Sequence, residues 1–397
     1  MAGSIEKRGK NSYRLTCYDG FDLHGKPIIH RRTVHGTKKE AEIELSKFVT
    51  EVQNGLVADG KSLRFDEFTK IWERDYASKY LAPSTYKRYM RMLETRILPY
   101  FSHYYINKIK PTDIMKFYDL LEKDTQLSRH AGTNNVKTKK PLAPKTIKEH
   151  HRLISSMLHK AVYWQLIVSN PTDRVQAPKS KKPQRPCYDD RQCKYLIENL
   201  MQLEPEFIKY KTALILEIFL GARLGELMGL EWSDVDLRTG IININKSSQY
   251  LADTGIFTKD PKNESSIRDV IVPEFVISLL KEYKLWYDEQ KSLLGELWIN
   301  SNRLFVQDNG KPMHPSTLSK WFVKYIEKIG LPVINFHGLR HTNATLLVSQ
   351  NIDIAVVSAR LGHAQISTTF NFYVHPIISH NKKAGIALEN LLLPTMS

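Results

Sequence analysis

The sequence is poor in cysteine. Only Cys17, Cys187 and Cys193 occur in 397 residues, and none belong to a CxxC pair. This usage argues against a disulfide framework or a cysteine-rich zinc finger and points to a reducing cytoplasm. Long apolar runs are lacking too. The best, Ala213 to Leu220, falls well short of the ~20 residues that cross a bilayer, and Glu217 interrupts it. The first residues, with Glu6, Lys7, Arg8 and Lys10, have no apolar core of a signal peptide, and Met1-Ala2-Gly3-Ser4 carries no lipidation signal. A GxxxxGK[ST] phosphate loop is missing, as is an acidic cluster suited to two metal ions, so neither ATP nor a metal cofactor is expected. Acidic residues are themselves in deficit. Asp and Glu number 42 against 58 Lys and Arg, a formal net charge of +16. A surplus of that size suits a polyanionic partner, and without a membrane anchor that partner is expected to be nucleic acid.

What is present divides the chain into an expected multidomain α+β protein. Residues 1–60 read as a small β-sheet-plus-helix module. Ser12 to Tyr18 alternates like a strand, Pro27 to Val34 follows a turn as a second, and Thr37 with Glu40 forms a capping box. Ala41, Leu45, Phe48 and Val52 then recur at helical spacing. Arg14, His30, Arg31 and Arg32 give this module a basic face, either for a polyanion or as solvated charge.

Residues 61–174 read as a helical domain. One helix carries Phe65, Phe68, Ile71 and Trp72; a second carries Tyr86, Tyr89, Met90, Leu93 and Ile97 and is ended by Pro99. A third opens at Pro111, and a fourth at Pro144 presents Ile147, His151, Ile154, Met157, Leu158 and Ala161. A polar, basic loop, Thr125 to Lys140, separates the last two. Lys87, Arg88 and Arg91 on the second helix, with Lys145, Lys148 and Arg152 on the fourth, are placed to follow a phosphate backbone. Residues 175–188 form a basic linker, rich in proline, that serves either as a tether or as a DNA-contacting strap. Residues 189–397 read as mainly helical with a small antiparallel sheet, in which Ile241 to Asn245 and Asp269 to Val272 are strands.

Individually, the polar residues of this last region have plain explanations. Arg223 pairs naturally with Glu226 one turn away. His337 and His341 have the spacing of a metal pair but lack the Glu of HExxH. His363 follows Leu361-Gly362 as a helix-end histidine would, and Tyr373 is an aromatic between Phe372 and Val374. Their order is less easily dismissed: Gly221-Ala222-Arg223-Leu224-Gly225-Glu226-Leu227, His337-Gly338-Leu339-Arg340-His341-Thr342, Leu361-Gly362-His363, then Tyr373 and His375.

This series resembles the tyrosine recombinase (phage integrase) family, over the whole of the C-terminal half. The N-terminal module is similar to the arm-site-binding module of integrases from phages and conjugative transposons, and the helical segment to their core-binding domain. The resemblance implies a site-specific recombinase that cuts and rejoins DNA through a 3′-phosphotyrosyl bond to Tyr373. Arg223 and Arg340 would neutralise the phosphate, His337 would exchange a proton with the phenol, and His363 would hydrogen-bond the phosphate. The family's general acid is a lysine on a β-hairpin between the two arginine motifs. Aligning Pro261, Ser265, Ser266 and Arg268 to its pattern selects Lys262, with Lys259 as the alternative. The resemblance further implies double-stranded DNA at core and arm sites, a homotetramer in the synaptic complex, and an excision factor or DNA-bending host protein as accessory.

Two rival readings remain at this level. A type IB topoisomerase shares the tyrosine chemistry, and a DNA-binding protein without catalysis shares the composition. The arm-like module disfavours the first and the Arg223/His337/Arg340/His363/Tyr373 set disfavours the second. Beyond Tyr373, Ile377, Ile378, Ala384, Ile386, Ala387, Leu388, Leu391 and Leu392 suggest a short amphipathic helix, packed on its own domain or on a neighbouring protomer. Docking on a neighbour makes a prediction: truncation after His380 weakens synapsis more than single-site binding. Gel-shift titrations in which both fall equally would count against it.

Overall fold

A computed structural model describes residues 3–21, 25–53, 63–123, 142–179, 186–259 and 266–370. The loop from Thr125 to Lys140, residues 180–185 of the basic linker, Lys262, Tyr373 and the expected tail helix lie outside the described residues. The chain forms two compact units, Met1–Lys182 and Pro183–Ser397.

The first unit begins with an antiparallel sheet of β1 (Gly3–Gly9), β2 (Ser12–Phe21) and β3 (Pro27–His35), in the order β1-β2-β3. Strand β1 adds a third strand to the two expected. Its sequence, GSIEKRG, has one apolar side chain, because an edge strand covers little core. Helix α1 (Lys38–Gln53) packs on one face of the sheet and encloses Leu15, Cys17, Ala41, Phe48 and Val52. The capping box is formed: the Thr37 N–H donates to Glu40 Oε2 at 2.7 Å, and the Glu40 N–H to Thr37 Oγ1 at 3.4 Å.

Helix α2 (Phe65–Trp72) continues through a π-helical turn, Glu73–Ala77, into α3 (Ser78–Tyr80). Helix α4 (Pro83–Met92) does the same through Leu93–Ile97 into α5 (Leu98–Phe101). Pro99 therefore does not end the second helix as expected. It sits in the first turn after the π segment, where the change of hydrogen-bond register lets the helix pass the missing N–H. Helices α6 (Pro111–Lys123) and α7 (Pro144–Tyr163) complete the bundle. Its core is aromatic: Phe65, Phe68, Trp72, Phe101 and Phe117 are each buried, and the rings of Phe101 and Phe117 meet edge to face at 5.2 Å. Burial of each such side chain stabilises the bundle by roughly 1.5–3 kcal/mol. On α7 the inward histidine is His150 rather than the expected His151. His151 stands at the margin, where its Nδ1 shares a 2.6 Å hydrogen bond with the Tyr118 hydroxyl.

In the second unit, α8 (Asp190–Met201), α9 (Ile208–Leu220) and the short α10 (Leu224–Leu227) come first. Helix α9 is buried on nearly every side, which accounts for the apolar run noted above as core rather than membrane segment. Among the described residues no helix is long and apolar enough to cross a membrane. Strands β4 (Ile241–Ile244) and β7 (Arg268–Ile271) pair antiparallel, as do β5 (Ser247–Leu251) and β6 (Gly255–Lys259), a hairpin that periodicity had not revealed. Helices α11 (Glu274–Leu294), α12 (Pro315–Lys328), α13 (His337–Ser349), α14 (Ile354–Leu361) and α15 (Ile366–Phe370) follow.

Helix α9 stops at Gly221, whose φ of +62° is left-handed. Asn343 on α13 donates to the Ile218 and Phe219 carbonyls and so satisfies the end of α9. A Cβ at Gly221 would meet Asn343 Oδ1 at 2.7 Å and Leu361 Cδ2 at 2.9 Å. Gly221→Ala is expected to cost about 1–2 kcal/mol from backbone strain alone. That corresponds to a drop of roughly 2–8 °C in Tm for a unit of this size, measurable by thermal denaturation without DNA. An unchanged Tm would contradict the assignment.

Candidate active site

Arg223 caps α10 two residues beyond the left-handed turn. Its backbone N–H donates to Glu226 Oε2 at 3.0 Å and its Nη1 to Oε1 at 2.6 Å, while Nη2 donates to the Gly362 carbonyl at 3.2 Å. The ion pair suggested by the spacing is thus formed. The Arg223 side chain nevertheless stays 43% exposed while that of Glu226 is 8% exposed, so much of Arg223 remains open to solvent. Burial raises the Glu226 pKa, but Arg268 and then Arg223 outweigh it and hold the carboxylate below its ordinary range.

Arg340 is the buried counterpart, 1% exposed on α13. Its Nη1 donates to the Gly221 carbonyl and its Nη2 to the Leu361 carbonyl, both at 2.7 Å. Burial, with Arg223 next, pushes its pKa down to about 10, so the guanidinium is charged at neutral pH. Glu217 is fully buried in the same cluster. Burial drives it toward its protonated form, with Arg340 acting in the other direction.

His363 follows Gly362, the left-handed C-cap of α14. Its Nδ1 shares a 2.8 Å hydrogen bond with Thr369 Oγ1, which fixes the ring against α15. Burial, then Arg340, Arg223 and Arg268, push its pKa down to about 4, so the imidazole is neutral at physiological pH. His337 opens α13 in an exposed position, close enough to add to that shift, and its ring meets His341 edge to face at 4.7 Å. Arg223, Arg340, His337 and His363, drawn from three separate motifs, are therefore brought together at the C-terminal end of α14.

Of the two lysine candidates, Lys259 is the half-buried last residue of β6. The neighbouring Thr258 hydroxyl accepts from the buried Arg303, which also donates to the Gly229 carbonyl. Lys262 and Tyr373 lie outside the described residues, and the structure carries no statement about them.

Sequence reasoning missed several supporting groups. Arg268 had served only as an alignment mark, yet it is 7% exposed and ion-paired with Glu226 at 3.0 Å. Arg360 donates to the Phe219 and Ile271 carbonyls. Thr369 orients His363. The partners of the two arginines are distant in sequence or are main-chain carbonyls, and Thr369 stands six residues from His363, so none leaves a local side-chain pattern to read.

The basic residues expected to face DNA separate by strand and helix geometry. In the β2–β3 register Arg14 lies opposite Thr33 and Thr16 opposite Arg31, so Arg14 and Arg31 share the outer face. Arg32 lies opposite the buried Leu15 and faces the other way, against the expectation that it joins them. It is ion-paired with Glu51 and lies over the Phe48 ring at 4.4 Å. The period of two forces this, and His30, 4% exposed, is turned inward by the same rule. On the bundle, Arg88 and Arg152 both donate to Glu149, at 3.1 and 2.6 Å, and so join α4 to α7. Arg91 and Lys145 are exposed; Lys87 and Lys148 are half-buried.

Comparison with known proteins agrees with this arrangement. Residues 188–380 match the model of the phage integrase family, and residues 64–121 that of the phage integrase N-terminal SAM-like domain. A XerC-like tyrosine recombinase of Caldanaerobacter subterraneus is 27% identical over 98% of both chains. The ICEBs1 integrase of Bacillus subtilis is 26% identical over 98% of this chain and all of its own. Among solved structures, the Tn1549 transposon integrase in complex with transposon right end DNA superposes with a TM-score of 0.65 at 20% identity, covering 83% of this chain and 99% of that one. A lambda integrase tetramer bound to a Holliday junction gives 0.54 at 17% identity, covering 93% and 94%. The chain belongs to the phage integrase family and is a tyrosine-type site-specific DNA recombinase.

Proposed function

We propose that Tyr373 is the nucleophile that cuts and rejoins DNA strands, in a phosphate site built from Arg223, Arg340, His337 and His363, for integration and excision of a mobile element. The observation that carries this reading is the convergence of Arg223, Arg340 and His363 on one turn, Leu361 to His363, ten residues before Tyr373.

A phosphodiester already carries one negative charge, and a second develops on its non-bridging oxygens as a nucleophile adds. Arg223, with much of its side chain open to solvent, and Arg340, fixed from behind by two carbonyls, supply permanent positive charge where it grows. The Tyr373 phenol gives its proton to His337 as its oxygen bonds to phosphorus. The bond from phosphorus to the 5′ oxygen breaks, and that oxygen takes a proton from Lys262. The neutral His363 donates to a non-bridging oxygen. Rejoining is the reverse, with a 5′-hydroxyl attacking the phosphotyrosine. Because the ester conserves the energy of the broken bond, ligation needs no ATP.

The three parts take separate roles. Residues 1–60 bind arm sites through the outer face that carries Arg14 and Arg31. Residues 61–174 bind the core site, with Arg91, Lys145, Lys87 and Lys148 toward phosphates and Arg88 and Arg152 shared with Glu149. Residues 189–397 hold the chemistry. The partner is double-stranded DNA in the cytoplasm, four copies act together in the synaptic complex, and an excision factor or DNA-bending host protein sets direction. The lambda integrase tetramer on a Holliday junction supports a four-copy assembly.

Tyr373→Phe is expected to abolish the covalent protein–DNA adduct and leave DNA binding within a few-fold of wild type. A suicide substrate that still traps the variant on a denaturing gel would refute the assignment. Lys262→Ala is expected to slow strand cleavage, and a substrate with a 5′-thiol leaving group, which needs no protonation, should restore the rate. If that substrate rescues Lys259→Ala instead, the general acid is Lys259.

A further inference from the structure

Three consecutive carbonyls end helix α14, and each accepts a hydrogen bond from a different arginine. The Arg360 carbonyl takes Arg268 Nε at 2.6 Å, the Leu361 carbonyl takes Arg340 Nη2 at 2.7 Å, and the Gly362 carbonyl takes Arg223 Nη2 at 3.2 Å. Two of these arginines already have roles in the proposed chemistry. Arg268 has none, yet its side chain is 7% exposed and donates through all three guanidinium nitrogens. Its Nη2 donates to Glu226 Oε2 at 3.0 Å and its Nη1 to the Ser266 carbonyl at 3.0 Å. A Cβ on Gly362 would meet its Nη1 at 2.8 Å, so the turn carrying His363 is shaped around this guanidinium.

The shared carboxylate is the informative contact. Glu226 Oε2 accepts both from Arg268 and from the Arg223 backbone, while Oε1 accepts from the Arg223 side chain. A carboxylate paired with Arg223 alone would cancel the charge that Arg223 is to offer a phosphate. Divided between two guanidiniums, it orients Arg223 and leaves the pair with excess positive charge.

We propose that Arg268 is a positioning residue for phosphate neutralisation, which acts through Glu226 to hold Arg223 aligned and electrostatically free. This rests on Arg223 being a phosphate ligand. It predicts that loss of Arg268 matters in proportion to the charge on the scissile group, a pattern that a general packing role does not produce.

The test compares cleavage of a normal phosphodiester with that of a methylphosphonate, in which one non-bridging oxygen is a methyl group and the linkage is neutral. Arg268→Ala and Arg268→Lys are measured in the full chain, with Arg223→Ala as reference. Arg268→Lys keeps the charge but loses the fork, and it decides the matter if the alanine variant does not fold. Cleavage of the phosphodiester is expected to fall on the order of 10- to 100-fold, and that of the neutral linkage by no more than roughly threefold, each relative to wild type on the same substrate. Equal losses on both substrates would overturn the proposal and make Arg268 a packing residue. Rescue by a 5′-thiol leaving group in place of the neutral linkage would overturn it too, since Arg268 would then act through Ser266 on the lysine hairpin. If Arg223→Ala shows no dependence on substrate charge, the phosphate-ligand reading of Arg223 is what fails. If Arg223→Ala shows it and the Arg268 variants do not, only the present inference falls.

Discussion

Burying a guanidinium is costly unless its donors find partners, and the catalytic unit is arranged to give Arg340 two of them. With the side chain 1% exposed, its two terminal nitrogens are satisfied by the carbonyls of Gly221 and Leu361, residues at the ends of two different helices. Each helix must stop where it does for its carbonyl to be available. Helix α9 stops at Gly221 and α14 at Gly362, both left-handed, so the two chain reversals and the buried arginine depend on one another. Asn343, one turn along from Arg340, secures the same end of α9.

The charges in this cluster are unequal by design of the contacts. Arg223, Arg268 and Arg340 surround Glu226, whose carboxylate is held below its ordinary range, while burial drives Glu217 toward its neutral form. Arg360 is turned away toward the carbonyls of Phe219 and Ile271. Three guanidiniums among two carboxylates leave positive charge in excess, which suits the negative charge that grows on a phosphate in the proposed reaction. Burial, and then the same field, keep His363 neutral, able to donate without adding a further cation. Such a match favours the transition state selectively.

Much of this architecture was legible in the sequence wherever its signal was local. The Thr37–Glu40 capping box and the Arg223–Glu226 pair depend on residues within a turn of each other, and each is formed. Features set by distant contacts were not legible. Strand β1 has only Ile5 to announce it, and the π-helical turn before Pro99 has no sequence period of its own. Arg32 was grouped with Arg14 and Arg31 by proximity in sequence, although the alternation of a strand separates them. Arg268 is the clearest case, because its three partners lie at residues 226, 266 and 360 and two of them are main-chain carbonyls. The roles of Tyr373 and Lys262 rest on sequence motif alone.

The choice of partner for each arginine follows from what the site must do. A carboxylate is the stronger acceptor, but it cancels the charge that it holds. A carbonyl at a helix C-terminus carries only partial negative charge and orients a guanidinium while leaving most of its field intact. Arg340, buried deepest, accordingly donates to two carbonyls, and the Glu226 carboxylate is divided between Arg223 and Arg268. Replacing those carbonyls by acidic side chains would make a more self-satisfied core and a poorer phosphate site. The helix end is therefore both the structural solution for burying arginine and the reason its charge remains available to DNA.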